Sequence, residues 1–109
     1  MTPATGYHAH LYWTGPEQRV LADDLCAKLV SRFGAVPGTR RESAGGPHPA
    51  AEIHVGFGLE AFGAVVPWLM VNRAGLSVLV HPQTGDALAD HTAHALWLGS
   101  PLAIVTGAL

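Results

Sequence analysis

Residues 75–91, GLSVLVHPQTGDALADH, decide the fold predicted for this chain. The run from Leu76 to Val80 is apolar apart from Ser77, as in a buried strand, and it stops at His81. A turn rich in polar residues and glycine follows, and the next residues are typical of a helix that carries Asp90 and His91. The stretch therefore predicts two imidazoles at the rim of a sheet. Taken singly, His81 can also be only a polar residue at the end of a strand, and His91 only a residue on the surface of a helix.

The histidine content is the one sign of chemistry in the composition. Seven histidines stand against six Lys plus Arg, and imidazole is the side chain that titrates closest to neutral pH. The formal net charge is −2 and Lys28 is the single lysine, so the chain has no basic stripe that would neutralise phosphates. We therefore expect no nucleic-acid partner.

Length and apolar content predict one domain, residues 1–109, in a homodimer. The 109 residues suit a single core, and 49% hydrophobic against 13% charged residues is apolar for a monomer. No apolar run reaches the roughly 18 residues of a membrane span, and the first ten residues lack the pattern of a signal peptide. Cys26 is the single cysteine, which we interpret as a packing residue in a protein of the reducing cytoplasm.

The segment YHAHLYW, Tyr7 to Trp13, alternates as a strand with one buried face does. Alternation places one set of side chains toward the core: Ala9, Leu11 and Trp13. It places the other set on the opposite face: His8, His10 and Tyr12. Two imidazoles two residues apart on one face suit two ligands of one metal ion. A solvated polar face explains the same pattern equally well.

Two helices are predicted between the strands. Thr14 caps the first, Pro16 lies in its first turn, Glu17 completes a capping box, and Gly34 ends it. Its apolar stripe at spacing four is Leu21, Leu25, Leu29 and Phe33. The second helix runs from about residue 59 to residue 73. Its apolar side is Phe62, Val66, Leu69 and Met70.

The remaining segments complete the pattern. Residues 36–43 predict an edge strand that carries Arg40 and Arg41. A loop with His48 between two prolines follows, and then a strand from Glu52 to Phe57. After His91 we expect one more helical piece through Trp97-Leu98-Gly99 and an apolar tail, Leu102 to Val105, that adds a strand or lies across a partner.

The order strand, helix, strand, strand, helix, strand predicts an α+β fold: a ferredoxin-like βαββαβ antiparallel sheet with an added C-terminal helical segment. This topology places the first strand between the third and the fourth, and both helices on one face. His81 then lies beside His8. The open face is predicted to carry, besides His81, the side chains of His8, His10, Tyr12, Glu52 and His54.

Four motifs in this order resemble the DOPA 4,5-dioxygenase family: HAHLYW at 8–13, GPHP at 46–49, VPWLMVNRAGLSVLVHPQTGD at 66–86 and DHTAHALWLG at 90–99. The resemblance covers most of the chain and implies a small cytoplasmic enzyme with non-haem iron(II). It implies extradiol cleavage of DOPA or a related catechol by O₂. The histidines of the family motifs fall on His8, His10, His48, His81 and His91, and not on His54 or His94.

A metal site for this chemistry must leave positions open for catechol and O₂, as three histidines, or two histidines and a carboxylate, do. His8 and His10 share a strand face, and His81 ends the neighbouring strand at the same edge of the sheet. We therefore predict His8, His10 and His81 as iron(II) ligands. Glu52 is the carboxylate of a two-histidine version.

The reaction also needs a base and an acid, and neutral histidine serves as either near pH 7. His48, on its stiff loop, and His91, on the last helix, are the predicted catalytic residues. Arg73 is predicted to bind a substrate carboxylate, or else to be a cation at a helix C-terminus. Tyr12 is predicted to hydrogen-bond a phenolic oxygen of the substrate, or else to pack.

Two other functions fit the same residues. One is a non-catalytic ferredoxin-like dimer that binds an aromatic metabolite in the sheet pocket. The other is a zinc-dependent hydrolase that uses the same histidines and needs no O₂.

Overall fold

All the predicted strands join one antiparallel sheet. The computed structural model describes residues 2–109. Its elements, in chain order, are β1 (Tyr7–Trp13), α1 (Gly15–Phe33), β2 (Val36–Arg41), β3 (Ala51–Phe57), a 3₁₀ turn (Leu59–Ala61), α2 (Phe62–Asn72), β4 (Val78–Pro82), α3 (Ala87–His91), β5 (Leu96–Leu98) and a second 3₁₀ turn (Thr106–Ala108). The strand order is β2-β3-β1-β4-β5, so β1 lies between β3 and β4. The predicted ferredoxin-like arrangement is confirmed.

The register of β1 with its two neighbours positions the polar side chains. Residues directly opposite each other in antiparallel strands point to the same face. The face away from α1 and α2 therefore carries three cross-strand pairs: His8–His81, His10–His54 and Tyr12–Glu52.

The other face of the sheet packs against α1 and α2. The core includes Ala9, Leu11 and Trp13 from β1, Ala22, Leu25, Cys26 and Leu29 from α1, and Val65, Val66 and Leu69 from α2. Cys26 is a packing residue, as predicted. The predicted stripes were wrong at Leu21, which is 41% exposed, and at Met70, which is 57% exposed. Each helix contacts the sheet along a narrower line than its apolar sequence suggests, so these residues fall outside the contact.

The start of α1 differs from the predicted capping box. The Thr14 side chain caps no backbone N–H. Instead, Oε1 of Gln18 accepts hydrogen bonds from the backbone N–H (2.9 Å) and the hydroxyl (3.2 Å) of Thr14. Glu17 was therefore the wrong partner by one position. Gly34 ends α1 in the left-handed conformation, as predicted.

The segment after α3 is a strand and not the predicted helical piece. Leu96–Leu98 pairs antiparallel with β4 as β5, because the edge of β4 would otherwise leave a row of unpaired backbone groups. The apolar tail adds no strand; the N–H of Val105 donates to the carbonyl of Pro47 at 2.9 Å and thus holds the tail on the His48 loop. Within residues 2–109, no helix combines the length and apolar character needed to cross a membrane.

Replacing Leu69 by alanine should lower the free energy of unfolding by about 2–5 kcal/mol, because a fully buried side chain leaves a cavity. The matched change Met70→Ala, one residue along, should alter it by no more than about 0.5 kcal/mol. Urea denaturation of both variants measures this. A loss at Met70 as large as that at Leu69 would contradict this assignment of the core.

Candidate metal centre

Every histidine except His94 contributes a ring to one cluster on the open face. The rings come from five separate segments: His8 and His10 from β1, His48 from the loop before β3, His54 from β3, His81 from β4 and His91 from α3. Neighbouring centroids lie as close as 4.3 Å, between His81 and His91. The convergence of His8, His10, His54 and His81 predicted from strand topology is therefore present, and His48 and His91 join it from a loop and a helix.

The closest approach in the cluster joins His10 and His81, whose Nε2 atoms are 3.0 Å apart. Nδ1 of His81 donates to the carbonyl of Pro82 at 2.8 Å, so Nε2 of this neutral ring carries a lone pair. Nδ1 of His10 lies 3.1 Å from Oε2 of Glu52 and donates to it when Glu52 is ionised. Two lone pairs then face each other, and a proton or a metal ion between them is needed to remove their repulsion.

The same pair has the spacing of two ligands of one ion. Imidazole nitrogens bind a divalent metal such as zinc at about 2.0–2.1 Å, so two of them at right angles are about 3 Å apart. Metal-binding histidines usually donate their second N–H to a carboxylate or a backbone carbonyl, which orients the ring. Glu52 and the carbonyl of Pro82 are in that position. The donor set therefore fits a metal ion.

The three residue sets that bring candidate ligand atoms within 4.8 Å of one another all contain His10. They are His8–His10–His81, His10–His48–His91 and His10–Glu52–His54. The first is the predicted ligand trio, which the structure brings together. Among residues 2–109, none of these candidate ligand sets contains His94. Its Nδ1 lies 3.0 Å from Oδ1 of Asp90.

His48 reaches the cluster across a tight turn. The backbones of Gly45 and His48 exchange two hydrogen bonds of 3.0 and 3.1 Å. The turn places the imidazole 4.5 Å from the ring of His10, centroid to centroid. Nδ1 of His48 is 2.8 Å from the hydroxyl of Tyr12, and Nε2 is 3.5 Å from Oε1 of Glu52. Both nitrogens therefore face protein groups.

His91 has a different environment. Its Nδ1 donates to the carbonyl of Ala87 at 2.7 Å, so its Nε2 carries the lone pair. The side chain of Asp86 caps α3 by accepting from the N–H of Ala89 at 3.1 Å, which holds this short helix in place. Asp90 is buried and accepts from the N–H and hydroxyl of Thr84. These bonds join α3 to the turn after β4.

Burial sets the protonation of the cluster. Desolvation, with help from neighbouring histidines, lowers the pKa of His8 to about 4 and that of His10 well below its usual value. Burial likewise lowers the pKa of His48 to about 4 and that of His81 by a smaller amount. The rings are therefore neutral near pH 7 and have lone pairs available to a metal. Burial also raises the pKa of Glu52 to about 7.

Two neighbours of the cluster were not among the predicted site residues. His54 stacks on His8 at 4.4 Å, and a Cβ on Gly38 would lie 2.0 Å from its Nε2, so glycine leaves the space that this ring occupies. Arg41 brings Nε within 3.6 Å of Oε1 of Glu52. Strand alternation placed His54 on the open face from the sequence, although no role was predicted for it. The same signal was available for Arg41, because Arg40 points to α1 and the next residue must point to the open face.

The predicted substrate-binding residues have other neighbours. Arg73 donates from Nη1 to the carbonyl of Met70 at 3.1 Å, at the C-terminus of α2, where a cation favours the helix dipole. Its Nε packs beside Gly99 and not among the histidine rings. Tyr12 is buried, and its hydroxyl is already bonded to His48.

A cavity of about 240 Å³ opens the cluster to the surface, lined in part by His8, His81, Asp90 and His91. A groove of about 540 Å³ lies at the start of α1, between Trp13, Arg19 and Pro49, and no histidine lines it. The smaller cavity is therefore the candidate entrance for a ligand of the histidines.

The chain is similar to proteins of one known family. A model of the Dopa 4,5-dioxygenase family matches residues 7–108. An "Uncharacterized 21.2 kDa protein" of Botryotinia fuckeliana is 38% identical over 104 residues, which cover 87% of this chain and 57% of that protein. The DOPA 4,5-dioxygenase of Amanita muscaria is 41% identical over 54 residues, which cover 50% of this chain and 24% of that enzyme. The match thus spans little more than half of one curated relative and a quarter of the other.

A solved structure shows the same fold. The crystal structure described as "a putative dioxygenase" from Nostoc punctiforme has a TM-score of 0.92 with this chain and is 42% identical to it. The superposition covers 96% of this chain and 90% of that one. The family model extends over all the strands and helices that build the histidine cluster, and the chain therefore belongs to the Dopa 4,5-dioxygenase family, as its motifs predict.

Proposed function

We propose that the protein is an extradiol ring-cleaving dioxygenase that acts on DOPA or a related catechol with iron(II) and O₂. Family membership supports a dioxygenase. The observation that carries the proposal further is the pair of Nε2 atoms of His10 and His81, 3.0 Å apart in a cluster of neutral imidazoles. This arrangement is suited to a divalent metal ion.

We assign the metal to His8, His10 and His81. His10 and His81 have the ligand spacing and the hydrogen-bonded Nδ1 atoms described above, and His8 stands opposite His81 in the β1–β4 ladder. Iron(II), when bound, passes electron density between a catechol and O₂, whose direct reaction is spin-forbidden, and three protein ligands leave positions open for both.

Hydrogen bonding supports a division of the proton-transfer roles. The Nε2 lone pair of His91 is free, since Nδ1–H is bonded to Ala87, and it suits a base that takes a proton from a catechol hydroxyl. His48 accepts the Tyr12 hydroxyl at Nδ1, which leaves the N–H on Nε2, 3.5 Å from Oε1 of Glu52. Only the protonated imidazolium of His48 can act as the acid, and an ionised Glu52 at this distance would stabilise that form. Tyr12 then acts through His48, by holding its tautomer, and not on the substrate.

The activity itself is the first test. Protein reconstituted anaerobically with iron(II) should consume O₂ and form yellow semialdehyde products from at least one of DOPA, caffeate, protocatechuate and catechol. Zinc-loaded protein should consume none, because zinc has no redox chemistry. Absence of O₂ uptake with the whole panel would refute the dioxygenase. A zinc hydrolase or a non-catalytic binding protein would then account for the cluster.

Substitutions separate ligands from proton-transfer groups. His81→Ala should abolish iron binding, because two remaining imidazoles hold a labile divalent ion poorly. His48→Ala should keep the iron and slow turnover by roughly 10²–10⁴-fold, the usual worth of a positioned acid or base. Metal content and O₂ uptake measure the two effects.

His94→Ala is the matched control, since this histidine faces Asp90 outside the ligand sets, and it should leave iron content unchanged. Iron retained without His81 and lost without His48 would favour the set His10–His48–His91 as ligands instead.

We also propose a homodimer in the cytoplasm. The open face carries the histidines, so it is not an apolar surface for a second copy to cover. Exposed apolar side chains lie elsewhere, among them Val20 on α1, Val36 on β2 and Val71 on α2, which is 83% exposed. Cys26, buried as a free thiol, is compatible with a reducing compartment.

Light scattering at micromolar concentration should therefore give a mass near twice that of the 11.4 kDa chain. Apolar side chains of this exposure are stabilised by burial against a second copy. A mass equal to that of one chain would contradict the dimer without affecting the assignment of the metal ligands.

A further inference from the structure

Arg41, the last residue of β2, faces the histidine cluster. Alternation directs Arg40 to the helix side, where it pairs with Asp23 and Glu42 and lies over the ring of Trp13. The next side chain, that of Arg41, must then lie on the open side. Its Nε lies 3.6 Å from Oε1 of Glu52, and the same oxygen lies 3.5 Å from Nε2 of His48, so the guanidinium lies beside the cluster.

The guanidinium of Arg41 is partly buried, but its Nε donor is not hydrogen-bonded. Its Nε is buried and has no hydrogen-bond partner among residues 2–109. The nearest carboxylate oxygen, Oε1 of Glu52, is 3.6 Å from Nε, which is beyond hydrogen-bonding distance. A buried donor without an acceptor is costly, so a guanidinium held in this way is suited to an anionic ligand.

The guanidinium of Arg41 lies against the turn before His48. A Cβ on Gly45 would lie 3.4 Å from Nη1 of Arg41, and one on Gly46 would lie 3.6 Å from Nη2, which are ordinary contact distances. The guanidinium therefore packs on the same turn that carries His48. The side chain is 41% exposed, so a ligand from solvent can reach its outer edge.

We propose that Arg41 binds the carboxylate of the catechol substrate and thereby selects carboxylate-bearing catechols over neutral ones. This inference rests on the proposed dioxygenase function and gives Arg41 the role that the sequence suggested for Arg73. The planar fork of a guanidinium matches a carboxylate in a two-bond pairing. The substrate carboxylate pairs with the Nη donors at the outer edge of the guanidinium, and its ring extends toward the imidazoles.

The experiment compares two catechols that differ in charge, 3,4-dihydroxyphenylacetate and 4-ethylcatechol, with iron-loaded protein. In Arg41→Gln, the ratio of kcat/KM for the acid to kcat/KM for the neutral catechol should fall about 10- to 100-fold, as expected for loss of a charge-assisted hydrogen bond. The fall should come mainly from KM of the acid. Arg41→Lys should recover part of the ratio.

Arg40→Gln is the matched control, because it makes the same chemical change one residue away on the opposite face, and it should keep the ratio. An equal loss on both catechols would show that Arg41 only supports Glu52, and would overturn the proposal. An unchanged ratio would overturn it as well. If instead Arg73→Gln lowered the ratio of kcat/KM values, the substrate carboxylate would be assigned to Arg73.

A binding measurement separates this inference from the proposed activity. Calorimetry on zinc-loaded protein, which performs no oxygen chemistry, should show tighter binding of 3,4-dihydroxyphenylacetate than of 4-ethylcatechol, and Arg41→Gln should remove the difference. Equal affinities in the unsubstituted protein, or no binding of the acid, would overturn the role of Arg41. Absence of O₂ uptake by the iron-loaded protein would refute the dioxygenase alone, since the calorimetric difference is independent of it.

Discussion

The two antiparallel ladders of β1 hold the candidate site together. One ladder places His8 opposite His81, and the other places His10 opposite His54. A shift of either ladder by one residue would turn the imidazoles to the helix side and Leu11 to the open face. The burial of Leu11 and its neighbours against α1 and α2 therefore stabilises the register that the site needs.

A cluster of buried polar rings is costly unless its members are neutral and hydrogen-bonded. The cluster meets both conditions through a few fixed partners. Burial favours the neutral form of His8, His10, His48 and His81. Glu52, the carbonyl of Pro82 and the hydroxyl of Tyr12 each bond one ring nitrogen. The remaining nitrogens of His10 and His81 point at each other. The hydrogen bonds that offset the cost of burying these rings thus also direct the free nitrogens of His10 and His81 toward each other.

The loop between β2 and β3 and the segments that follow β4 complete the cluster. The turn that carries His48 lies over β1, and the C-terminal tail is bonded to this turn at Pro47. Helix α3 brings in His91, and β5 covers the edge of β4. The central strands β1 and β4 therefore supply the proposed metal ligands, whereas the His48 turn, α3 and the end of β2 supply the proposed acid, base and substrate-binding Arg41.

Local pattern determined which face of each strand is polar, where α1 and α2 lie, and the topology that places β1 centrally. It therefore predicted that His8, His10 and His81 would meet. It did not determine how far around a helix the core extends, so Leu21 and Met70 were misplaced. It also missed β5, because an unpaired edge is satisfied by residues distant in sequence. The choice between Arg41 and Arg73 also needed the tertiary structure: alternation directs Arg41 to the open face, but only the folded chain shows its guanidinium beside Glu52 and the His48 turn.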